Sequence, residues 1–156
     1  CRSFAQALYL IDSQDRMPCD KDEGGCGVTC SITHSLTSVP PIFTASLVWE
    51  TANASVQDIS ATLDAIDTEL VVADVYSEPL EGGAAPLPKQ PHKLRCIVCY
   101  YGKHYSAFAR HDERNQWLLF DDESHKEIGS WEDVLAHCIK GHLQPSLLFY
   151  EASPKT

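Results

Sequence analysis

The sequence predicts an α+β protein organised round a mainly antiparallel sheet. Three strand signals follow one another at Leu94–Tyr101, His104–His111 and Gln116–Phe120, while helical periodicity is confined to separate stretches near residues 3–11, 55–66 and 130–138. Strands in runs with helices set apart are the pattern of α+β architecture. With 156 residues, 44% of them apolar, the chain can bury one sizeable core and reads as one domain or a piece of one.

Taken in order, Ser3 precedes Phe4, Ala7, Leu8 and Ile11, an apolar stripe at helical spacing behind a serine N-cap. The stretch CDKDEGGCG (19–27) is a polar loop bounded by cysteines. Residues 28–38 carry no clear pattern, and Pro40-Pro41 end them. Ile42–Trp49 (IFTASLVW) is rich in β-formers and reads as a strand. Ser55 with Asp58 opens a second helix, whose inner stripe is Val56, Ile59, Leu63 and Ile66. Leu70–Tyr76 reads as another strand, and the Pro-, Gly- and Ala-rich residues 78–92 as a surface loop. After the three central strands, a capped helix runs from Ser130 to Cys138 with Trp131, Val134, Leu135 and Cys138 inward. Pro145–Tyr150 (PSLLFY) closes the chain as a short buried strand.

A net charge of −10 without a basic stripe argues against nucleic acid and suits a basic protein partner better. No apolar run approaches the ~18–20 residues that span a bilayer, so no membrane partner is expected. The first residues have neither the charged lead nor the cleavage site of a signal peptide. They start on Cys1 without methionine, from which a fragment of a longer protein is expected. Seven cysteines, an odd number placed mostly in apolar runs, suit a reducing, intracellular compartment (cytoplasm or nucleus). Asn53-Ala54-Ser55 matches a glycosylation triplet of a kind common by chance, and is discounted.

The chemistry concentrates around His104. Tyr100–Phe108 (YYGKHYSAF) sets this histidine behind a glycine turn at the mouth of a strand, and Trp117–Asp122 (WLLFDD) ends the next strand on two aspartates. A hairpin centred near Asp112-Glu113 pairs Phe108 with Trp117, Ser106 with Leu119 and His104 with Asp121. Opposed Cβ atoms lie ~4.5–5.5 Å apart, within reach for a carboxylate to meet an imidazole. A carboxylate there fixes the tautomer and stabilises the imidazolium formed when the histidine takes a proton. A bulge in the HDERNQ turn would shift the register and break the pair. Spacing alone is met as well by a surface histidine at a strand end and two aspartates opening a turn.

The stretch CYYGKHYSAFARHDERNQWLLFDDESHKEIGSW resembles the His and Asp boxes of the ubiquitin-specific protease (ubiquitin carboxyl-terminal hydrolase) family: a Gly-x-His-Tyr-x-x-Phe strand, then Trp-x-x-Phe-Asp-Asp. CIKGHLQPSLLFY is similar to the closing helix and strand of that domain. PPIFTASLVWE and SVQDISATL are similar to the strand and helix upstream. Gly-Lys-His-Tyr, Ile-Gly-Ser-Trp and Lys-Gly-His-Leu-Gln-Pro most resemble a divergent branch found in large plant proteins and in animal members long called inactive. The resemblance covers residues 3–152, with 153–156 as a tail. It implies the C-terminal half of a papain-like cysteine protease domain, its palm and fingers: a curved antiparallel sheet with peripheral helices. The implied reaction is thiol-dependent hydrolysis at the ubiquitin C-terminus, with ubiquitin or polyubiquitin as partner. The alternative is an inactive ubiquitin-binding scaffold. Residue by residue, His104 matches the general base, Asp121 the residue that orients it, and Asp122 the second acid beside it. Gly102, Lys103 and Tyr105 match the substrate-gripping turn, with Lys103 inserted relative to the commoner Gly-His-Tyr.

The family's nucleophilic cysteine lies far upstream, in a thumb subdomain this sequence lacks, so the chain alone is expected to be inert. Cys30, in Gly27-Val28-Thr29-Cys30-Ser31, is only superficially similar to the family's cysteine box, whose asparagine is missing. Cys96, Cys99 and Cys138 sit in strand or helix cores and read as inert. No cofactor is expected in the reaction. Cys19 and Cys26 are weak candidates for half of a tetrahedral zinc site of the family's fingers, with Cys1 as a further candidate. The bland reading of loop thiols without metal is favoured. His34, His92, His111, His125, His137 and His142 show no metal-ligand spacing among themselves.

Overall fold

The computed structural model of the protein describes residues 3–76 and 87–154. In chain order the elements are α1 (Phe4–Asp12), β1 (Arg16–Pro18), β2 (Thr29–Ser31), β3 (Ile42–Ser46), α2 (Val56–Ala65), β4 (Glu69–Val71), a 3-10 turn (Val72–Asp74), β5 (Pro91–Tyr101), β6 (His104–His111), β7 (Gln116–Asp121), β8 (Ser124–Gly129), α3 (Trp131–Gly141) and β9 (Gln144–Ala152). A seven-stranded sheet has the order β3-β9-β5-β6-β7-β8, with β4 added beside β5; β1 and β2 make a separate two-stranded ribbon. Every pairing is antiparallel. The α+β architecture with a mainly antiparallel sheet expected from the sequence is the one observed.

The three helices start where their serines dictate. Ser3, Ser55 and Ser130 each accept a hydrogen bond from the backbone N–H three residues on, and Gln6 and Asp133 return the bond in full capping boxes. Helices α2 and α3 pack together and onto the sheet. Beneath them one sheet face buries Leu94, Ile97, Cys99, Phe108, Trp117, Leu119, Leu148 and Tyr150, joined by Ile59 and Leu63 of α2 and Val134 and Cys138 of α3. The period of two along the strands puts these residues on one side, and an irregularity between Leu94 and Cys96 brings Leu94 to the same side as Ile97 and Cys99. His104 and Asp121 follow the same parity as Phe108 and Leu119, but lie past the helices where the sheet meets solvent.

Four local expectations are corrected. The strand expected at Ile42–Trp49 ends at Ser46; beyond it Leu47 N–H donates to the Ser146 carbonyl and the Trp49 indole to the Pro145 carbonyl, so the chain peels off across β9. The strand expected at Leu70–Tyr76 is only Glu69–Val71, because Leu70, Val72 and Val75 are buried at spacings of a strand followed by a turn. Strand β8 was not foreseen at all. Last, β6 and β7 pair Phe108 with Leu119 and Arg110 with Trp117, two residues away from the expected register. The turn holds four residues, 112–115, closed by Asn115 N–H to the Asp112 carbonyl (3.0 Å) with Asn115 at φ 51°. Of the expected 78–92 loop, residues 78–86 lie outside the described residues, and β5 already begins at Pro91.

Candidate active site

The site is built at one end of the β5–β6–β7 meander. Tyr101 pairs with His104 across a two-residue turn, Gly102-Lys103, in which both residues have positive φ (55° and 72°). Such a turn matches the strand twist and demands positive φ at both central residues, which Gly102 adopts freely and Lys103 only at a cost, and it fixes where His104 emerges. At the neighbouring loop, Asp121 pairs with Ser124 across Asp122-Glu123, with Asp122 at φ 50° and Ser124 Oγ donating to the Asp121 carbonyl (2.8 Å). Aspartate tolerates this left-handed conformation better than most residues.

The two turns bring three side chains together. His104 Nε2 lies 2.5 Å from Asp121 Oδ1, and His104 Nδ1 lies 4.0 Å from Asp122 Oδ1. The expected pair therefore forms although its expected register does not. A slip of two residues keeps both side chains on one face, so Asp121 reaches the imidazole along the diagonal rather than directly opposite. With Nε2–H donating to Asp121, Nδ1 is left as the proton-accepting atom. The His104 pKa is raised, first by the hydrogen bond to Asp121, which outweighs the opposing desolvation, and further by the charges of Asp122 and Asp121. The pair is solvent-exposed, so its strength is that of a charge-assisted hydrogen bond partly screened by water. The three ligand atoms also lie close enough to grip a cation.

Around this pair, Gly102 and Lys103 are exposed at the turn and Phe108 is fully buried beneath it. Tyr105 is 60% exposed and packs its ring on Tyr100 (centroids 5.1 Å apart). Both tyrosines line an apolar cavity of about 710 Å³ with Leu47, Val48, Trp49 and Leu147.

The cysteines are dispersed. Cys30 lies exposed on β2, in the ribbon outside the large sheet, with its thiol 3.4 Å from the Val28 carbonyl. Cys99 and Cys138 are buried with sulfurs 3.9 Å apart, joining β5 to α3. Their mutual hydrogen bond and burial push the Cys99 thiol well up, and burial raises Cys96. Cys26 moves the other way, lowered by a hydrogen bond to the Val28 backbone and by Cys19. Cys19 and Cys26 supply two thiols of the four ligands a structural zinc requires. Among the described residues no third metal-ligating group joins them, so they do not by themselves fit the metal. Cys1 lies outside the described residues. Spacing also missed His34, which meets Asp12 at 2.8 Å near Asp15, and His92, buried with Nε2 2.8 Å from the Pro40 carbonyl.

A sequence model of the Ubiquitin carboxyl-terminal hydrolase (UCH) family matches residues 2–150. The chain belongs to this family. Its members are cysteine-protease deubiquitinases, and the matched segment is the C-terminal half of their domain. The chain is 32% identical over 148 residues to ubiquitin carboxyl-terminal hydrolase 53 of Homo sapiens, covering 94% of this chain and 13% of that protein. It is 37% identical over 127 residues to ubiquitin carboxyl-terminal hydrolase 54 of Mus musculus, covering 80% of this chain and 8% of that protein. The chain thus spans a small fraction of these relatives. Among solved structures, a chain of the SAGA Ubp8/Sgf11/Sus1/Sgf73 DUB module superposes with a TM-score of 0.60 at 19% identity, covering 99% of this chain and 34% of that one. That likeness shows the fold.

Proposed function

We propose that residues 2–150 supply the base half of a deubiquitinating thiol protease: His104 as general base, Asp121 as its orienting carboxylate and Asp122 as a second acid steadying the imidazolium. The observation that carries this reading is the 2.5 Å contact from His104 Nε2 to Asp121, which leaves Nδ1 as the acceptor. A thiol brought to Nδ1 gives up its proton there; the thiolate attacks the carbonyl at the ubiquitin C-terminus, and the imidazolium returns the proton to the leaving amine. Water then cleaves the thioester with the same histidine as base. Asp121 holds the positive ring through both halves. The Gly102-Lys103 turn and Tyr105 grip the substrate tail beside the histidine.

No cysteine among the described residues meets His104, whose ring contacts are Asp121 and Asp122. The nucleophile is assigned to a segment of the protein outside them, and ubiquitin or polyubiquitin is the partner. The reaction itself takes no cofactor. Zinc on Cys19 and Cys26 would only clasp the 19–27 loop, which metal analysis of the purified protein tests.

The decisive experiment exposes this chain, and the whole protein that contains it, to ubiquitin carrying a C-terminal electrophile. Labelling of the whole protein, its loss in His104→Ala, and no labelling of the chain alone are expected. Turnover of a fluorogenic ubiquitin amide by the chain alone, abolished by Cys30→Ala, would overturn the assignment. Ubiquitin binding without labelling of either would instead leave an inactive ubiquitin-binding scaffold.

A further inference from the structure

We propose that Cys19 and Cys26, at the tip of the β1–β2 ribbon, are a reversible disulfide site, closed by exchange with a low-molecular-weight disulfide and reopened by thiols. Six residues separate the two, and both are free thiols. The backbone folds them together. Cys19 N–H donates to the Val28 carbonyl (2.9 Å) and the Cys19 carbonyl accepts from Gly27 N–H (3.0 Å), so Cys19 runs beside the segment that carries Cys26. Gly25 N–H donates to the Asp20 carbonyl (2.6 Å), which curls the loop inward. A Cβ on Gly25 would stand 2.4 Å from the Cys19 sulfur, so the loop closes over that atom where only glycine fits. There the Cys19 thiol meets the Cys26 sulfur in a hydrogen bond. Sulfurs already in contact need only side-chain rotation to reach the ~2 Å of an S–S bond.

The two thiols have different parts. Cys26 is exposed and Cys19 half-buried. The Val28 backbone first, and then the Cys19 thiol, lower the Cys26 pKa, which makes Cys26 the attacking group. Its thiolate attacks one sulfur of a disulfide such as oxidised glutathione; that S–S bond breaks and one glutathione leaves, taking up a proton. Cys19 then gives its proton to water and attacks the Cys26 sulfur, and the second glutathione leaves as a thiol. Two protein thiols are thus oxidised by two electrons, and one small disulfide is reduced to two thiols. Cys30 takes no part. Its thiol is turned to the Val28 carbonyl (3.4 Å), and among the described residues no third metal-ligating group joins the pair. Cys99, raised by its bond to Cys138 and by burial, and Cys96, raised by burial, stay reduced.

Each cysteine alone has an ordinary explanation as an idle loop thiol, and the two together as half of a zinc site. The first leaves unexplained a loop shaped round the contact between them. The second lacks half its ligands among the described residues. An exposed pair in mutual contact is the kind that intracellular proteins oxidise reversibly. Closed, the disulfide ties the tip of the ribbon, which is otherwise held by backbone hydrogen bonds, and withdraws both sulfurs from any metal. The ribbon is separate from the large sheet that carries His104. The site therefore goes beyond the proposed hydrolysis, and its oxidation requires no turnover.

The test incubates the chain, with a metal chelator present, in glutathione buffers of graded disulfide content near neutral pH, followed by acid quenching and mass spectrometry. The expected product is lighter by two hydrogens, carries a cross-link from Cys19 to Cys26, and reverts in dithiothreitol. The folded chain should close this link at least about tenfold more readily than the urea-unfolded chain, because the fold already holds the sulfurs together. Cys19→Ser should stop at a glutathione adduct on Cys26. Cys26→Ser should react at position 19 at least about tenfold more slowly than the native chain reacts at Cys26, and Cys30→Ser should behave as the native chain. The proposal is overturned if the native chain itself stops at the adduct, if the cross-link runs to Cys30, or if folding gives no advantage over the unfolded chain.

Discussion

The β6–β7 hairpin and the β1–β2 ribbon are both antiparallel and both carry residues capable of chemistry. Under the first, Phe108, Trp117 and Leu119 are 0%, 1% and 5% exposed. In the second every residue of both strands is exposed, and the 19–27 loop is tied by backbone bonds such as Cys19 N–H to the Val28 carbonyl (2.9 Å) and Gly27 N–H to the Cys19 carbonyl (3.0 Å). Burial fixes the first hairpin to the core, and with it the separation of His104 and Asp121. The ribbon has only hydrogen bonds that water can compete for, which is the condition for opening locally at low cost. The cysteines of the ribbon and its loop therefore do not mark the place where proton-transfer geometry can be kept; a strand end rooted in packed aromatics does.

The largest effect that would break this contrast comes from the root itself. Phe108→Ala should cost about 3–5 kcal/mol, whereas Cys26→Ser should stay within about 0.5 kcal/mol; equal shifts in urea unfolding midpoints would remove the distinction. Thiol reactivity sharpens it next. Native alkylation near neutral pH, followed by peptide mass spectrometry, should modify Cys26 faster than Cys96 or Cys99 by roughly an order of magnitude or more, since only Cys26 is lowered while the other two are raised. Loss of the α3 cap comes third: Ser130→Ala should cost about 1 kcal/mol by thermal or urea unfolding, because the capping box anchors α3 over the buried hairpin.

The smallest effect reads the candidate site directly. Because the folded pKa of His104 is raised, its contact with Asp121 stabilises the fold fully below the ordinary value of 6.5 and is lost as pH rises through the raised folded value. The difference in stability between the native protein and Asp121→Asn should therefore shrink across that window. The imidazole titration followed by NMR should move down toward 6.5 in the variant; an unchanged titration would show that Asp121 does not hold the ring.

What could be read from the sequence follows from what is local. The three helices were legible because Ser3, Ser55 and Ser130 bond within three residues of themselves. Strands β5, β6, β7 and β9 were legible from apolar content. β8 was not, because Ser124–Glu127 are all exposed and polar and leave no alternation to detect. At the site, the His104–Asp121 pair was legible from which face each residue occupies, while the register depended on the backbone of Asn115, which no spacing rule reports. The approach of Asp122 to Nδ1 depends likewise on a positive φ. The contact of Cys99 with Cys138 joins residues 39 apart in the chain, beyond any local pattern.

The four-residue turn at 112–115 also acts as a ratchet with a tooth two residues wide. Deleting a single residue there would carry Asp121 to the opposite side of the sheet, out of reach of the imidazole, whereas removing or adding two would move it one notch along the same side. Descendants of this sequence can therefore lengthen or trim the hairpin in even steps and keep a partner for His104. Odd steps would have to be compensated by a bulge in β7, which predicts that length variation at this loop among related chains is strongly biased to multiples of two.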